Sequence, residues 1–478
     1  MHSDIYCNPL QLPDIGPGIC CRLPDSDPSA FCGWKRDFRE VSDPEMLYHD
    51  GRWYMFPSVR QAFVSADLLH WEYHPLQLEH DLGYAPTVAK CGDRFLLTAS
   101  CLLRDKVPRL YAAPTPLGPY ELLGEPVDRH GHPLKPEYLD PSLFCDDDGR
   151  LYLYWGSCPG GGICGVELDP ENPIRAIGDK KVLITYKPEN SWEHYGEYAE
   201  HTNFGWNEGV AMFKHQGRYY LQYASCGTNF RHYAVSCYIS TTSPLGPFTP
   251  PREPMLLSPH GIVNGTGHGG MVAGPNGTVW QFYTCLLRRS HIFERRVGMD
   301  RVEFAADGTP HVRVTATPQS LSRGDLGLLP VSVNKRLTQS SYQNDHFGTF
   351  AIDDCTHTWW EPDCEDKTPW LQVDLGDVFS VSAARIIWAE LNLDYEAGIL
   401  PEPVKFRLEF LTPEQELLPT VVDMSQNEIE RNVEFVTFPA VTARYVRLTI
   451  LRGKSKIQHG VSSFTVFAPP TDSTLRLF

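Results

Sequence analysis

Residues 140–157 read DPSLFCDDDGRLYLYWGS, a stretch that predicts one β-hairpin and, through its repeats, the fold of the chain. An apolar strand leads into an Asp-Gly turn, and an aromatic-rich strand follows and ends in serine. Asp-Gly supplies the positive backbone angles that tight hairpin turns require. Four related stretches are DPEMLYHDGRWYMFPS (43–58), APTVAKCGDRFLLTAS (85–100), EGVAMFKHQGRYYLQYAS (208–225) and HGGMVAGPNGTVWQFYT (268–284).

Five hairpins at intervals of roughly 40 to 70 residues are typical of β-propeller blades with variable outer loops. The composition agrees, because 12% aromatic residues with 38 Gly and 40 Pro suit short strands better than long helices. We therefore predict an all-β protein. A five-bladed β-propeller is expected over 1–322, a linker over 323–334 and a β-sandwich over 335–470.

Acidic residues open three of the five hairpins. In a propeller the first strand of each blade lines the central channel, so the opening residues meet at one mouth of the channel. Those residues are Asp43, Ala85, Asp140, Glu208 and His268. Any single acid could instead cap a turn, but three carboxyls converging in a partly desolvated space are costly unless ligands or pKa shifts compensate. Two such carboxyls flanking a glycosidic bond can hydrolyse it.

The three acid-bearing stretches resemble the signature blades of glycoside hydrolase family 43, which includes arabinanases, arabinofuranosidases and β-xylosidases. The resemblance covers about residues 1–320 and implies Asp43 as general base, Asp140 as pKa modulator and Glu208 as general acid, with inversion at the anomeric carbon. The segment GTGHGGMV resembles the axial histidine motif of the family. This implies that His268 holds a structural cation such as calcium in the channel, the alternative being a hydrogen-bonded core histidine. No cofactor is expected to be required for the chemistry.

Candidate substrate-binding residues are an arginine and several tryptophans. Arg295 falls where members of that family often place a substrate-contacting arginine, and Arg296 is an equally near alternative. Trp34, Trp192 and Trp206 lie in loop-like stretches before blade strands, and an indole ring can pack on the C–H face of a sugar. Each tryptophan could equally pack in the interior.

The C-terminal third resembles the discoidin, or factor V/VIII type C, fold shared with a family of carbohydrate-binding modules. The residues that carry this resemblance are AIDDCTHTWWEPDCEDKTPWLQVDLG from Ala351 and ARYVRLTI from Ala443, which alternates as in a half-buried strand. The resemblance implies Asp353 and Thr358 as calcium ligands, although Ser463 stands where many relatives supply a glutamate. Such a module either binds sugar or buttresses the propeller.

Charge and hydropathy exclude some partners. A net charge of −17 argues against nucleic acid, because affinity for phosphates rests on Lys and Arg. No stretch approaches the ~18 apolar residues of a membrane span, and we expect no membrane partner. The N-terminus MHSDIYCNPLQLPD lacks a basic start and an apolar run, so we expect a cytoplasmic protein, or a secreted one if a signal peptide was removed. The 14 cysteines form no CxxC pair and are expected to be buried thiols.

These features predict an exo-acting, inverting glycoside hydrolase that releases a terminal pentose, α-L-arabinofuranose or β-D-xylose, from plant-type glycans or oligosaccharides. The long insert over 186–207 could wall off the channel mouth and leave a pocket, which favours attack at a chain end. Two alternatives are an exo-galactosidase or galactofuranosidase of the same fold, and a non-catalytic sugar-binding propeller. The sequence does not predict the oligomeric state.

Overall fold

A computed structural model describes residues 4–18, 37–79, 82–100, 108–134, 138–453 and 456–471. In these ranges the regular structure is β-strand, apart from three short 3-10 turns at Ser191–Glu193, Pro275–Gly277 and Gly348–Ala351. The prediction of an all-β protein is confirmed. In the part of the chain that the structure describes, no helix has the length and apolar character needed to cross a membrane.

Each predicted hairpin forms the inner half of a four-stranded antiparallel sheet whose strands follow the order of the sequence. The strands of blade 1 are Glu45–His49, Arg52–Phe56, Gln61–Ser65 and Trp71–Pro75; of blade 2, Thr87–Cys91, Arg94–Thr98, Leu110–Ala113 and Glu121–Gly124; of blade 3, Ser142–Cys145, Leu151–Ser157, Gly162–Leu168 and Lys181–Ile184; of blade 4, Glu208–His215, Arg218–Ser225, Ala234–Ser240 and Leu256–Leu257; and of blade 5, Met271–Ala273, Val279–Leu286, Arg295–Phe304 and Pro310–Val312. The first strands of blades 1 and 2, of blades 2 and 3, and of blades 3 and 4 contact one another, and that of blade 5 contacts that of blade 1. The five-bladed propeller is thus confirmed.

The turn residues explain why these hairpins close tightly. Asp50 and Gly51 have φ of 50° and 75°, and Gln216 and Gly217 have 49° and 74°. Two successive positive φ angles twist the turn in the sense that matches the right-handed twist of the strands. The aromatic second strands then pack between blades; Leu151–Ser157, for example, is buried along its whole length. Burial of each large apolar side chain contributes about 1.5–3 kcal/mol.

The N-terminal segment runs along the third strand of blade 5. The backbone N–H of Leu10 donates to Val297 O at 2.8 Å, and that of Val41 donates to Arg295 O at 3.2 Å. A small sheet, formed by Ile5–Tyr6, Gln319–Ser320 and Gly324–Asp325, continues this contact. The residues just before Asp43 are therefore held against blade 5.

The C-terminal strands form one sheet whose long strands bend at β-bulges and enclose a separate core. The strands are Leu329–Pro330, Arg336–Gln339, Trp370–Glu390, Phe406–Leu411, Leu417–Asp423, Val433–Ile450 and His459–Ala468. Trp370–Glu390 pairs with both Val433–Ile450 and His459–Ala468, with register shifts between the paired segments. This is the predicted sandwich. The segment predicted as a linker contains two short strands, Gly324–Asp325 on the propeller side and Leu329–Pro330 in the C-terminal sheet.

Candidate active site

The residues that precede the first strands share an unusual backbone conformation. Asp43, Ala85 and Asp140 have φ of 51°, 49° and 46°, and in blade 4 the left-handed residue is Gly209, with φ of 60°. Positive φ is uncommon outside glycine, although aspartate tolerates it better than most residues. The shared conformation turns the chain into the channel at the same level in each of these blades.

In blades 1 to 3, a side-chain hydroxyl of the preceding blade holds the left-handed residue by a hydrogen bond. The acceptor is a serine or threonine hydroxyl near the end of the second strand, and the donor is the backbone N–H of the left-handed residue. The three bonds run from Asp43 to Thr284 Oγ1 at 2.7 Å, from Ala85 to Ser58 Oγ at 3.0 Å and from Asp140 to Ser100 Oγ at 2.8 Å. The sequence repeat showed these hydroxyl residues, but not their partners.

Asp43 is a buried carboxylate that several donors hold in the charged form. Ser58 Oγ donates to its Oδ2 at 2.6 Å, and Arg295 donates from Nη1 to Oδ1 at 3.2 Å and from Nη2 to Oδ2 at 3.1 Å. Burial alone would raise the pKa of Asp43. The charges of Arg295 and His268 outweigh burial and hold this pKa well below its usual range.

Asp140 lies on the next acid-bearing blade and accepts two hydrogen bonds. Ser100 Oγ donates to Oδ1 at 3.1 Å, and the backbone N–H of Gly209 donates to Oδ2 at 3.0 Å. Burial raises the pKa of Asp140, and the charge of Asp43 adds to this, while His268 opposes it. The contact with Gly209 places Asp140 directly beside the residue that follows Glu208.

His268 lies between the two aspartates. Its Nδ1 is 3.4 Å from Asp43 Oδ1 and 3.7 Å from Asp140 Oδ2. Burial would lower the pKa of His268, but the two carboxylates raise it to about 9, so the imidazole is itself a cation at neutral pH. Across the described residues, no three or more His, Cys, Asp or Glu side chains are grouped so that they could hold a metal ion. The cation expected at His268 stays a prediction.

Glu208 differs from the aspartates in position and in charge. It pairs with Ala224 in the blade 4 sheet, and a β-bulge follows it, so the left-handed residue is Gly209, one position after Glu208. Trp206 Nε1 donates to Glu208 Oε2 at 2.6 Å, and the Tyr233 hydroxyl donates to Oε1 at 3.1 Å. Burial first, and then the charge of Asp140, raise the pKa of Glu208 to about 7.

The three predicted tryptophans have different positions. Trp206 is half-buried and bonded to Glu208, so it lies in the site. Trp192 is half-buried on the same side of blade 4, where its Nε1 donates to the Tyr223 hydroxyl at 3.4 Å and its carbonyl accepts from Ser225 Oγ at 3.0 Å. Trp34 lies outside the described residues.

The two candidate arginines face opposite ways, because neighbouring side chains of a strand alternate. Arg295 reaches Asp43, and its remaining donors bind Glu40 and Thr228 Oγ1. Arg296 Nε instead donates to Asn432 Oδ1 in the C-terminal sheet at 2.9 Å. The prediction that Arg296 contacts substrate is therefore wrong, and Arg295 enters the site as the partner of Asp43.

Two site residues were missed by sequence reasoning. Glu40 is fully buried and binds the guanidinium of Arg295, and Tyr233 binds Glu208. Neither lies in the hairpin repeat, so no periodic signal marked them. In the C-terminal domain, Thr358 Oγ1 donates to Asp353 Oδ2 at 2.8 Å, and the N–H of Cys355 donates to Oδ1 at 3.0 Å. Asp353 thus accepts one hydrogen bond on each carboxylate oxygen, and calcium binding at Asp353 and Thr358 stays a prediction.

The surroundings of Asp43 and Glu208 give these two carboxyl groups different protonation states. Asp43 is held as a carboxylate, whereas Glu208 keeps a proton up to about neutral pH. Both are less than one-tenth exposed, at 5% and 8%. One group can accept a proton while the other donates one, which is the pairing that hydrolysis of a glycosidic bond needs.

Comparison with known proteins agrees with this arrangement. A β-D-galactofuranosidase of Aspergillus niger is 28% identical over 55% of this chain and 76% of its own length. A β-xylosidase of Xylanibacter ruminicola is 24% identical over 56% of this chain and 95% of its own length. A solved thermostable family-43 glycoside hydrolase shares the fold, with 23% identity and a TM-score of 0.50 over 67% of this chain and 100% of that one.

Two family patterns divide the chain between them. A NedA-like, galactose-binding domain matches residues 350–448, in the C-terminal sheet. The pattern of glycosyl hydrolases family 43 matches residues 38–310, which is more than half of the chain and includes all three acids of the channel. With its five blades and its paired base-like and acid-like carboxyls, the chain belongs to glycosyl hydrolases family 43.

Proposed function

We propose that this glycosidase is exo-acting and inverting and that it releases a terminal pentose, α-L-arabinofuranose or β-D-xylose, from plant-type glycans or oligosaccharides. The observation that carries the proposal is the opposite protonation of Asp43 and Glu208 in one buried site. The substrate partner is an oligosaccharide or a polysaccharide. No cofactor takes part in the reaction as we propose it.

In the proposed reaction Glu208 is the general acid and Asp43 the general base. Glu208 gives its proton to the glycosidic oxygen as the bond from that oxygen to the anomeric carbon breaks. Asp43 takes a proton from the water that forms the new bond to the anomeric carbon from the opposite face, which inverts the configuration. Asp140 acts as the pKa modulator, since its charge helps Glu208 to keep its proton.

The leaving sugar lies on the side of Glu208, because the acid must reach the oxygen that leaves. The chain just before the acid forms a hairpin of His194–Tyr195 with His201–Gly205. Phe204 in this hairpin is 39% exposed and meets Tyr195 edge-on, with 5.1 Å between the ring centroids. An exposed aromatic ring four residues before the acid, together with Trp206, which binds Glu208, offers a stacking surface for a leaving group that is itself a sugar.

A second candidate sugar is β-D-galactofuranose. The Aspergillus niger relative is a β-D-galactofuranosidase, and galactofuranose shares the five-membered ring of arabinofuranose. The other alternative, a propeller that binds sugar without hydrolysing it, would be expected to lose at least one of the acids, whereas all three are present and buried.

A panel of aryl glycosides tests the proposal. It contains the α-L-arabinofuranoside, β-D-xyloside, β-D-galactofuranoside and β-D-galactopyranoside, and we expect turnover of one of the two pentosides. Turnover of the galactofuranoside alone would replace the pentose by the second candidate. Glu208→Gln should lower kcat by about 10²- to 10⁴-fold, the usual contribution of a general acid. No turnover of any glycoside, or equal turnover by this variant, would reject the proposed function.

NMR of the first-formed sugar tests the stereochemistry. We expect the free sugar to appear with the anomeric configuration opposite to that of the substrate, before mutarotation mixes the two anomers. Retention of configuration would mean that a carboxylate attacks the sugar, and the assignment of Asp43 as a base would then be wrong.

A further inference from the structure

Two neighbouring pairs of residues connect the active site to the C-terminal sheet. Arg39 and Glu40 lie beside Arg295 and Arg296, because the backbone N–H of Val41 donates to Arg295 O at 3.2 Å. Side chains alternate along extended backbone. As a result, Glu40 and Arg295 face the active site, while Arg39 and Arg296 face the C-terminal sheet.

On the side of the C-terminal sheet the contacts are buried ion pairs and hydrogen bonds. Arg39 binds Glu390 with two donors, Nε to Oε2 at 3.0 Å and Nη2 to Oε1, and its Nη1 donates to Glu430 Oε2 at 2.6 Å. Arg296 donates to Asn432 Oδ1 at 2.9 Å and also to Arg39 O at 3.0 Å. Both guanidinium groups are about 1% exposed. The C-terminal domain thus supplies both carboxylate partners of Arg39 and an amide acceptor for Arg296, whose nearest carboxylate is Glu294 of the propeller at 3.9 Å.

On the side of the active site the same residues lead directly to Asp43. Glu40 accepts from Arg295 Nε at 3.0 Å, and Arg295 holds both oxygens of Asp43. The charged groups that face Asp43 are Glu40, Arg295 and His268, with Asp140 and Glu208 beyond them. Arg39 immediately precedes Glu40, and Arg296 immediately follows Arg295. Arg39 and Arg296 are the two arginines that contact the C-terminal domain.

We propose that the C-terminal sheet holds Asp43 in place through Arg39 and Arg296, which act as positioning residues; the idea rests on the proposed function. A buried charge that loses its partner must move or find water. Movement of either arginine is passed to its chain neighbour, Glu40 or Arg295, and from there to Asp43. Hydrolysis by the propeller then depends on the C-terminal domain.

The test uses the full chain with Arg39→Met. We expect a folded protein whose kcat is about 10- to 100-fold lower, since a small misplacement of a reacting group costs that much, with KM nearly unchanged. A fall in kcat with KM unchanged means that substrate still binds while a reacting group is misplaced. A merely structural role would lower the amount of folded enzyme and leave the kcat of the folded fraction unchanged. Glu430→Gln, which removes one negative charge beside Arg39 while its amide oxygen can still accept a hydrogen bond, should lower kcat in the same way by less.

Arg385→Met is the matched control. Arg385 is another buried arginine between the two domains, and its Nη1 donates to Ala316 O at 2.9 Å and to the carbonyl of Asn8, away from Asp43. We expect a comparable loss of thermal stability with an unchanged kcat.

The outcomes are distinguishable. An active wild type whose kcat is unchanged in Glu430→Gln, and in Arg39→Met where it folds, overturns the linkage, as does an equal loss of kcat in Arg385→Met. A wild type that hydrolyses no glycoside of the panel instead rejects the proposed function.

Discussion

Glu208→Gln should be more stable than the wild type at alkaline pH, and it should lose most of its hydrolytic activity. The carboxyl accepts from Trp206 Nε1 and from the Tyr233 hydroxyl. A glutamine can keep both contacts, because its oxygen accepts from the indole and its NH₂ donates to the hydroxyl, which can also act as acceptor. The substitution therefore removes the ionisation and preserves the shape.

The magnitude follows from the pKa of Glu208. Burial raises this pKa from its ordinary value of 4.5 to about 7 in the folded protein. Between these values the folded state holds a proton that the unfolded state has released, so the free energy of unfolding falls as pH rises. The loss is about 3 kcal/mol, at roughly 1.4 kcal/mol for each pKa unit, and it is complete by about pH 8. Glutamine carries no such loss.

Thermal unfolding at pH 4.5 and pH 8 measures the effect. The melting temperature of Glu208→Gln relative to wild type should rise by about 3 °C between the two conditions, if the 478 residues unfold together with roughly 2 cal/mol/K each. Glu434→Gln is the matched control, since burial also raises the pKa of Glu434 to about 7 but in the C-terminal sheet. It should show the same trend with normal kcat. A difference between Glu208→Gln and wild type that stays constant with pH would refute the reasoning.

Two further substitutions probe the geometry around the acid. A Cβ at Gly209 would lie 2.8 Å from His268 Cγ at a φ of +60°, so Gly209→Ala should lower both stability and kcat. The control Gly217→Ala, at a φ of +74° with open space around it, should cost only about 1 kcal/mol of backbone strain. Equal changes in kcat and melting temperature for the two variants would contradict this prediction. Trp206→Phe removes the donor that favours the ionised form of Glu208, so the alkaline limb of the kcat–pH profile should move to higher pH. A limb that does not move would show that the contact is not made.

The hairpin repeat was sufficient to predict the blades and to bring the three acids together. Its information is local, because an Asp-Gly or Gln-Gly turn and an alternating strand specify a hairpin whatever the rest of the chain does. The repeat aligns Glu208 with the two aspartates. In blade 4, however, the left-handed residue is Gly209, one position later, because a β-bulge follows Glu208. Nothing in the letters EGVAMF distinguishes a bulged strand from a regular one.

The choice between Arg295 and Arg296 needed long-range information. Alternation along the strand says that they face opposite sides, but not which side faces the axis. Only the contact of Arg296 with Asn432, more than a hundred residues away in sequence, decides the orientation. The partners of Arg39 likewise lie in the other domain, beyond the reach of any motif.

The hydroxyls near the ends of the second strands tie blades 1, 2 and 3 each to the blade before it. Blade 2 contributes no acid, for Ala85 stands in the position of the aspartates, yet its Ser100 binds both the backbone and the side chain of Asp140. Selection for hydrolysis therefore acts also on blade 2, which has no reacting group of its own. Replacing blade 2 with a blade that lacks this serine should preserve the propeller and impair hydrolysis.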